Sequence, residues 1–254
     1  MIILKSLKEI EQQREACQIV AEILLRLKDA VKPGVTTKEL DDLAERLTKE
    51  KNAVPAFKGV KAGGPYKPFP SVICASVNNE VIHGIPSERK LKEGDILSVD
   101  FGVEYKGFYG DSAITVAVGK ISENARKLMD ATRESLDEAI KNAVVGNRLS
   151  DISHAVQNYV EKRNYSVVRD FVGHGIGRSL HEDPQIPNYG SPGRGIRLKA
   201  GMVLAIEPMI NEGTYEVEVL NDGWTAVTLD GKLSAHYEHT VAITESRPIV
   251  LTKI

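Results

Sequence analysis

Apolar residues recur along this chain with two periods, and the switches between them mark out its elements. Ile10, Cys17, Val20, Ile23, Leu24 and Leu27 fall at the three-to-four-residue spacing of one helix face. Ser6 followed by Glu9 is a capping-box signature at the start of that helix, and Pro33-Gly34 stops it. Thr36 and Glu39 repeat the capping signature, and Leu40, Leu43, Ala44 and Leu47 form the inward face of a second helix. The period then shortens. The runs ILSVDF and AITVAV within residues 96–118 predict a β-hairpin turning near Tyr105–Gly107. Helical spacing returns over 123–145 and 150–163, and from about 202 to 250 the chain reads as strands in MVLAIEPMI, TAVTLD and HTVAIT. Residues 58–70, KGVKAGGPYKPFP, read as a Pro/Gly loop. No stretch has the composition of a linker, so residues 1–254 are expected to form one domain.

The order of elements repeats. LKEGDILSVD at 91–100 matches LKAGMVLAIE at 198–207, and the two segments end in carboxylates, Asp100 and Glu207. His83-Gly84-Ile85 and His174-Gly175-Ile176 make a second match upstream of each. Gly34 and Gly146 make a third, each preceding an amphipathic stretch that ends at Asn52 or Asn164. Three matches in the same order predict a duplicated module, with halves of about 1–120 and 121–254. Each half would supply two helices, a histidine and a carboxylate strand, and a site between them would draw on both.

Composition narrows the function. Lysine plus arginine number 33 and aspartate plus glutamate 35, and the net charge of -2 gives no electrostatic reason to expect nucleic acid or a membrane surface as partner. Cys17 and Cys74 are the only cysteines, which make no disulfide framework and point to a reducing compartment. The N-terminus turns charged after four residues and lacks the apolar stretch of a signal peptide, and the run IVAEILL is interrupted by Glu22. A cytoplasmic protein is expected. There is no Walker loop, G-x-S-x-G elbow, HExxH or CxxC, and GHGIG opens no recognisable βαβ unit.

The chemistry lies in polar residues set among apolar ones. Asp100 and Asp111 sit on opposite arms of the predicted hairpin, and residues facing each other across an antiparallel pair share one side of the sheet. Two aspartates alone would fit an exposed face. Glu207 in VLAIEPM, Glu238 in AHYEHTVAI and His174 in FVGHGIG weaken that reading, because each is a polar group in an apolar strand. The glycines beside His174 would let the backbone approach a bound group. Four carboxylates and an imidazole suit divalent Mn, Fe, Co or Zn. Two such ions balance four negative charges, whereas one would leave a costly buried excess. His83 and His181 lie in glycine- or proline-bounded segments; isolated histidines are more often structural, but beside a metal site they become candidates for proton transfer and oxyanion stabilisation.

ASVNNEVIHGIP, LSVDFGVEYKGFYGDSA, VGHGIGRSLHEDPQIPNYG, VLAIEPM and AHYEHTVAI together closely resemble the type I methionine aminopeptidases, over almost the whole chain. The resemblance implies an α+β pita-bread fold with pseudo-twofold symmetry, a curved antiparallel sheet and a central dinuclear metal site. It implies that Asp100, Asp111, His174, Glu207 and Glu238 are the metal ligands. By the same resemblance His181 contacts the scissile carbonyl, His83 lies near the substrate amide, and Glu207 relays the water proton. The implied activity is removal of the initiator methionine from nascent polypeptide N-termini, at the ribosome or after release, by a monomer. Proline-directed pita-bread enzymes usually carry a large N-terminal domain, for which this chain has no room. Type II enzymes carry an insertion between the last ligands, whereas Glu207 and Glu238 are only 31 apart here. A catalytically dead pita-bread module that binds peptides is the alternative class, but such modules typically lose ligands and all five stand here.

The resemblance weakens around the substrate pocket. After Phe57 the family pattern is close to FKGYxGFP, where this chain has Val60 in place of the tyrosine and a short insertion. Leu180 stands where some members have phenylalanine. Candidates for the wall of a pocket accepting methionine are Phe57, Phe69, Cys74, Leu180 and Trp224. Phe57 and Leu180 could equally be ordinary core.

Overall fold

The computed structural model describes residues 2–61 and 66–253. Residues 62–65 of the 58–70 loop lie outside them. Four helices are formed among the described residues: α1 (Leu7–Ala30), α2 (Thr37–Glu50), α3 (Glu123–Asn142) and α4 (Leu149–Glu161). Both sequence-predicted capping boxes form, with the Ser6 hydroxyl accepting from the Glu9 N–H and the Thr36 hydroxyl from the Glu39 N–H. Helices α3 and α4 end earlier than their periodicity predicts, because the chain turns at Gly146 (φ +95°) and Asn164 (φ +63°).

The helices pack on one face of a nine-stranded sheet. Its central order is Ile96–Tyr105, Phe108–Ala117, Glu238–Ala242, Val203–Ile206, Gly173–Gly175 and Glu182–Ile186. Ile73–Val77 and Val54–Pro55 pair with Ile96–Tyr105, and Ile249–Val250 with Glu238–Ala242. The sheet is thus palindromic about the junction of Phe108–Ala117 and Glu238–Ala242, which run antiparallel there. This is the pseudo-twofold pita-bread architecture. The repeat extends to individual hydrogen bonds. Gly34 donates its N–H to the Leu91 carbonyl and Gly146 to that of Leu198, while Leu91 and Leu198 donate to Val35 and Asn147, both at 2.8 Å. The second sequence match is not structural: His174 lies within the large sheet, whereas His83 follows a strand, Glu80–Ile82, that pairs with Ala226–Thr228 in a separate sheet.

Strand alternation separates the helix side from the opposite side. Leu97, Val99, Phe101 and Val103 enter the core beneath α1 and α2, and Leu204, Ile206 and Val241 enter the one beneath α3 and α4. The intervening positions, Asp100 among them, face the other way. The hairpin turns through Lys106 and Gly107, both at positive φ, as a two-residue type I′ turn requires. This places Asp100 opposite Ala113 and Asp111 opposite Gly102. The two aspartates are therefore diagonal neighbours, not directly facing, because the turn centre lies between Lys106 and Gly107, one position later than the midpoint between them; they still share a side. The strand predicted in MVLAIEPMI breaks at Glu207-Pro208 into Val203–Ile206 and Met209–Asn211, which join different sheets. Proline has no N–H to continue the ladder.

Helix α1 lies directly on the hairpin. A Cβ at Gly110 would come within 2.7 Å of the Cys17 backbone nitrogen. Backbone cannot move aside as a flexible side chain can, so Gly110→Ala is expected to destabilise the protein by about 1–3 kcal/mol. At this chain length that lowers the melting temperature by roughly 2–4 °C per kcal/mol. An unchanged thermal melt by circular dichroism would show that α1 can lift without cost.

Candidate active site

Neighbouring strands bring five of the predicted residues to one place. Asp100 and Asp111 come from the hairpin, and Glu238 opens the next strand. Glu207 follows Val203–Ile206 at the proline break, and His174 is the middle of Gly173–Gly175. Asp111, His174 and Glu238 can each present a ligand atom within 4.8 Å of the others. Glu207 approaches His174 at 3.6 Å between Oε1 and Nε2. Asp111 and Glu238 are almost wholly buried; Asp100 is half-buried.

The glycines flanking His174 have a different reason from the one their sequence pattern suggests. A Cβ at Gly173 would meet the Ala205 carbonyl oxygen at 2.4 Å, and one at Gly175 the Asp183 carbonyl oxygen at 2.2 Å. They make room for neighbouring strands, not for a bound group. The His174 Nδ1 lies 2.9 Å from the Gly175 carbonyl, an acceptor that holds the proton on Nδ1 and leaves the Nε2 lone pair facing the carboxylates.

Burial dominates the electrostatics. It pushes the carboxyls of Asp100 and Glu207 up to about 7 and about 8. Burial, then the charges of the neighbouring carboxylates, raises Asp111 and Glu238 well above the ordinary range. Burial also lowers His83 and His174 to about 4 and lowers His181, so all three imidazoles are neutral near pH 7. Among the described residues, Asp100 Oδ1, Asp111 Oδ1 and Glu238 Oε1 are buried with no geometrically formed hydrogen bond. Orphaned buried carboxylate oxygens fit metal ions as their missing partners. The donor set, oxygen-rich with one imidazole, fits divalent first-row metals.

A cavity of about 730 Å³ opens above the cluster. Phe57, Phe69, Cys74, Leu180 and Trp224 all line it, as do His83 and His181. Phe69 meets Trp224 edge to face at 5.2 Å, and the Trp224 indole donates to the Lys67 carbonyl. His83 lies edge-on to Phe171 and Trp224, with its backbone in the left-handed region (φ +58°). That conformation is strained for a residue with a Cβ; the adjoining Gly84 is tied down by donating its N–H to the Ser76 hydroxyl and accepting from the Ala75 N–H. His181 sits edge-on to His174 at 4.5 Å. Val60 and Lys61 complete the rim at the insertion.

One site residue was missed. His236 is buried, its Nε2 has no hydrogen-bond partner, and it lies 3.7 Å from the Glu207 carboxylate. Its signal was present in AHYEHTVAI, since His236 is two residues before Glu238 and so on the same side of an extended chain.

Three comparisons bear on this arrangement. The model of Metallopeptidase family M24 matches residues 11–245. A methionine aminopeptidase of Clostridium perfringens is 56% identical over 254 residues, covering 100% of both chains. Methionine aminopeptidase 1 of Bacillus subtilis is 54% identical, again covering 100% of both. The crystal structure of methionine aminopeptidase from Thermotoga maritima superposes with a TM-score of 0.95 at 49% identity, covering 100% of both chains.

The raised carboxyls make a prediction for the metal-free protein. Asp100 and Glu207 hold protons more tightly folded than unfolded, where their pKa values are near 3.8 and 4.5. Their stabilisation is complete below those values and is lost as pH rises through about 7 to 8. The buried histidines have the opposite sign, but the unfolded imidazoles lose their protons around 6.5, so this opposing contribution fades by about pH 7.5 while that of the carboxyls continues. In excess chelator, the melting temperature should therefore fall as pH rises from about 6.5 to 8, and added Mn²⁺ should remove the slope. A flat or rising profile without metal would contradict a buried carboxylate cluster.

Proposed function

The chain belongs to metallopeptidase family M24 and within it to the methionine aminopeptidases, and from that membership we propose that it removes the N-terminal methionine of nascent proteins whose second residue is small. The observation that carries the reading is the buried cluster of four carboxylates and one imidazole at the floor of an apolar cavity. Asp100, Asp111, His174, Glu207 and Glu238 would hold two divalent ions, Co, Mn, Fe or Zn. When bound, such ions acidify water towards neutrality and polarise a peptide carbonyl.

The protein's own groups divide the remaining work. Glu207, beside His174 and open to the cavity, takes the proton of the attacking water and passes it to the leaving amine. His181, neutral and on the cavity wall, offers an N–H to the oxygen on which charge develops. His83, across the cavity against Trp224, orients the substrate amide. Phe57, Phe69, Cys74, Leu180 and Trp224 enclose the methionine side chain and exclude water. We place this activity in the cytoplasm, in a monomer acting on emerging N-termini at the ribosome, with neither nucleic acid nor membrane as ligand. The near-neutral charge and the two buried free thiols support that setting.

Replacing Asp111 or Glu207 with alanine is expected to lower metal content and abolish turnover. Two ions retained at full occupancy in either variant would remove that residue from the ligand set. Alanine at His83 or His181 should keep the metal and slow kcat/KM by about 10²–10⁴-fold. Near-normal kcat/KM would make the histidine structural.

Substrate choice tests the assignment itself. An apolar pocket gains roughly 0.8 kcal/mol per buried methylene, so methionine should clearly exceed alanine and norvaline and differ little from norleucine. Met-Xaa peptides with small Xaa should be cleaved, and Met-Arg and Met-Phe should not. Efficient cleavage of Met-Arg, or of Leu-Ala as fast as Met-Ala, would overturn the initiator-methionine reading, and a requirement for Xaa-Pro would replace it with a proline-directed exopeptidase.

A further inference from the structure

Away from the carboxylate cluster, the described residues contain a buried ion pair that joins two distant parts of the chain. Lys5 Nζ lies 2.5 Å from Glu182 Oε2, and both side chains are almost entirely covered. Lys5 belongs to the segment before α1. Glu182 immediately follows His181. The other Glu182 oxygen accepts the backbone N–H groups of Arg178 at 2.8 Å and Ser179 at 3.3 Å. Both carboxylate oxygens are therefore engaged, so Glu182 is not free to serve as a base although it lines the cavity. It folds residues 177–182 into a closed turn and carries a charge that, among the described residues, is paired with Lys5.

The surroundings are built around this contact. Lys5 donates its backbone N–H to the Gly201 carbonyl, which fixes the segment against the second half of the sheet. A Cβ at Gly177 would come within 2.4 Å of the Lys5 side chain and 2.7 Å of the Glu182 carboxylate, so the pair occupies the space a side chain would need. The Gly177 carbonyl accepts from Tyr109, beside the hairpin aspartates. Arg178 reaches Glu9 in the first turn of α1 and stacks over Phe108. Within the turn, Leu180 lines the cavity and its backbone lies against the His174 ring. His181 itself makes a ring contact with His174 and otherwise depends on the turn for its placement.

We propose that the Lys5–Glu182 pair is a strap by which the N-terminal segment positions Leu180 and His181 over the scissile bond. The proposal rests on the aminopeptidase reading, in which His181 meets the peptide carbonyl. Lys5 and Glu182 are positioning residues, since neither touches the reacting atoms. Without the ammonium, the carboxylate seeks water in the cavity and the turn opens. A displacement of about 1 Å in a reacting group can lower turnover roughly 10²-fold.

The test compares Lys5→Met and Lys5→Arg with the parent holoenzyme on Met-Ala-Ser, well below the melting temperature of each, with metal content measured alongside. Lys5→Met should keep its metal and lose roughly 10–100-fold in kcat with little change in KM. Lys5→Arg, which keeps the charge, should recover to within about threefold. If Lys5→Met fails to fold, Lys5→Met/Glu182→Gln removes both charges together and should fold while showing the same loss. A kcat within about twofold of the parent for Lys5→Met or the double variant, or Lys5→Arg as impaired as Lys5→Met, would reduce the pair to a structural contact. A parent unable to cleave Met-Ala-Ser would instead defeat the aminopeptidase reading and leave the strap without a function to serve.

Discussion

Four carboxylates crowded into a largely buried space set the terms for the rest of this molecule. Burial opposes ionisation of each, and the neighbours raise Asp111 and Glu238 further. Such a cluster can be relieved by protons or by cations. Protons leave orphaned oxygens at Asp100, Asp111 and Glu238, whereas divalent cations engage oxygen and charge together. The architecture has to hold those side chains together against their mutual repulsion, and strands in one sheet do that better than loops. Asp100 and Asp111 are fixed as diagonal neighbours by a ten-pair ladder and a two-residue turn. Glu238 pairs with Ala113 on one side, and from His239 onward its strand pairs with Val203–Ile206 on the other.

Duplication explains how the repulsion is divided. Each half contributes a helix pair, the same backbone hydrogen bonds at Gly34 and Gly146, and its own carboxylates. Each half has a core of its own beneath its helices, so neither is held together by the charged cluster. The repulsion falls at the seam, where the two halves meet through Phe108–Ala117 and Glu238–Ala242. There it can be relieved by a ligand that bridges them.

The fold and the cluster were legible in the sequence for one reason: both are recorded in local periodicity. Capping boxes, the hairpin and the carboxylate strands repeat at spacings that survive without knowledge of tertiary contacts. What was misread depends on partners distant in sequence. The glycines around His174 resemble a binding loop until Ala205 and Asp183 are seen to crowd them. The match of His83 with His174 fails because the same three residues follow the strand Glu80–Ile82 in one half and overlap the strand Gly173–Gly175 in the other. The break at Glu207-Pro208 was visible as a proline, yet only the parting of the strand into two sheets shows why a carboxylate can project there. His236 was overlooked because a histidine beside a tyrosine and a glutamate has no distinctive spacing of its own. The Lys5–Glu182 pair spans 177 residues, and no local pattern announces it.

The division between strands and loops also accounts for where this chain departs from its family pattern. The ligand side of the site is made of backbone ladders, where a shift of one residue would turn a carboxylate to the helix face. The apolar cavity wall comes mostly from connections: the one carrying Phe57 and Phe69, the turn carrying Leu180 and His181, and the turn presenting Trp224. Gly59 donates its N–H to the Phe69 carbonyl at 2.8 Å, which joins the two ends of the first of these. Val60 lines the cavity beside them, and Phe69 and Trp224 meet edge to face. Leu180 is different, because its neighbour His181 shares the same short turn. The turn is fixed independently of the Leu180 side chain, because one oxygen of Glu182 is held by Lys5 and the other by the Arg178 and Ser179 N–H groups.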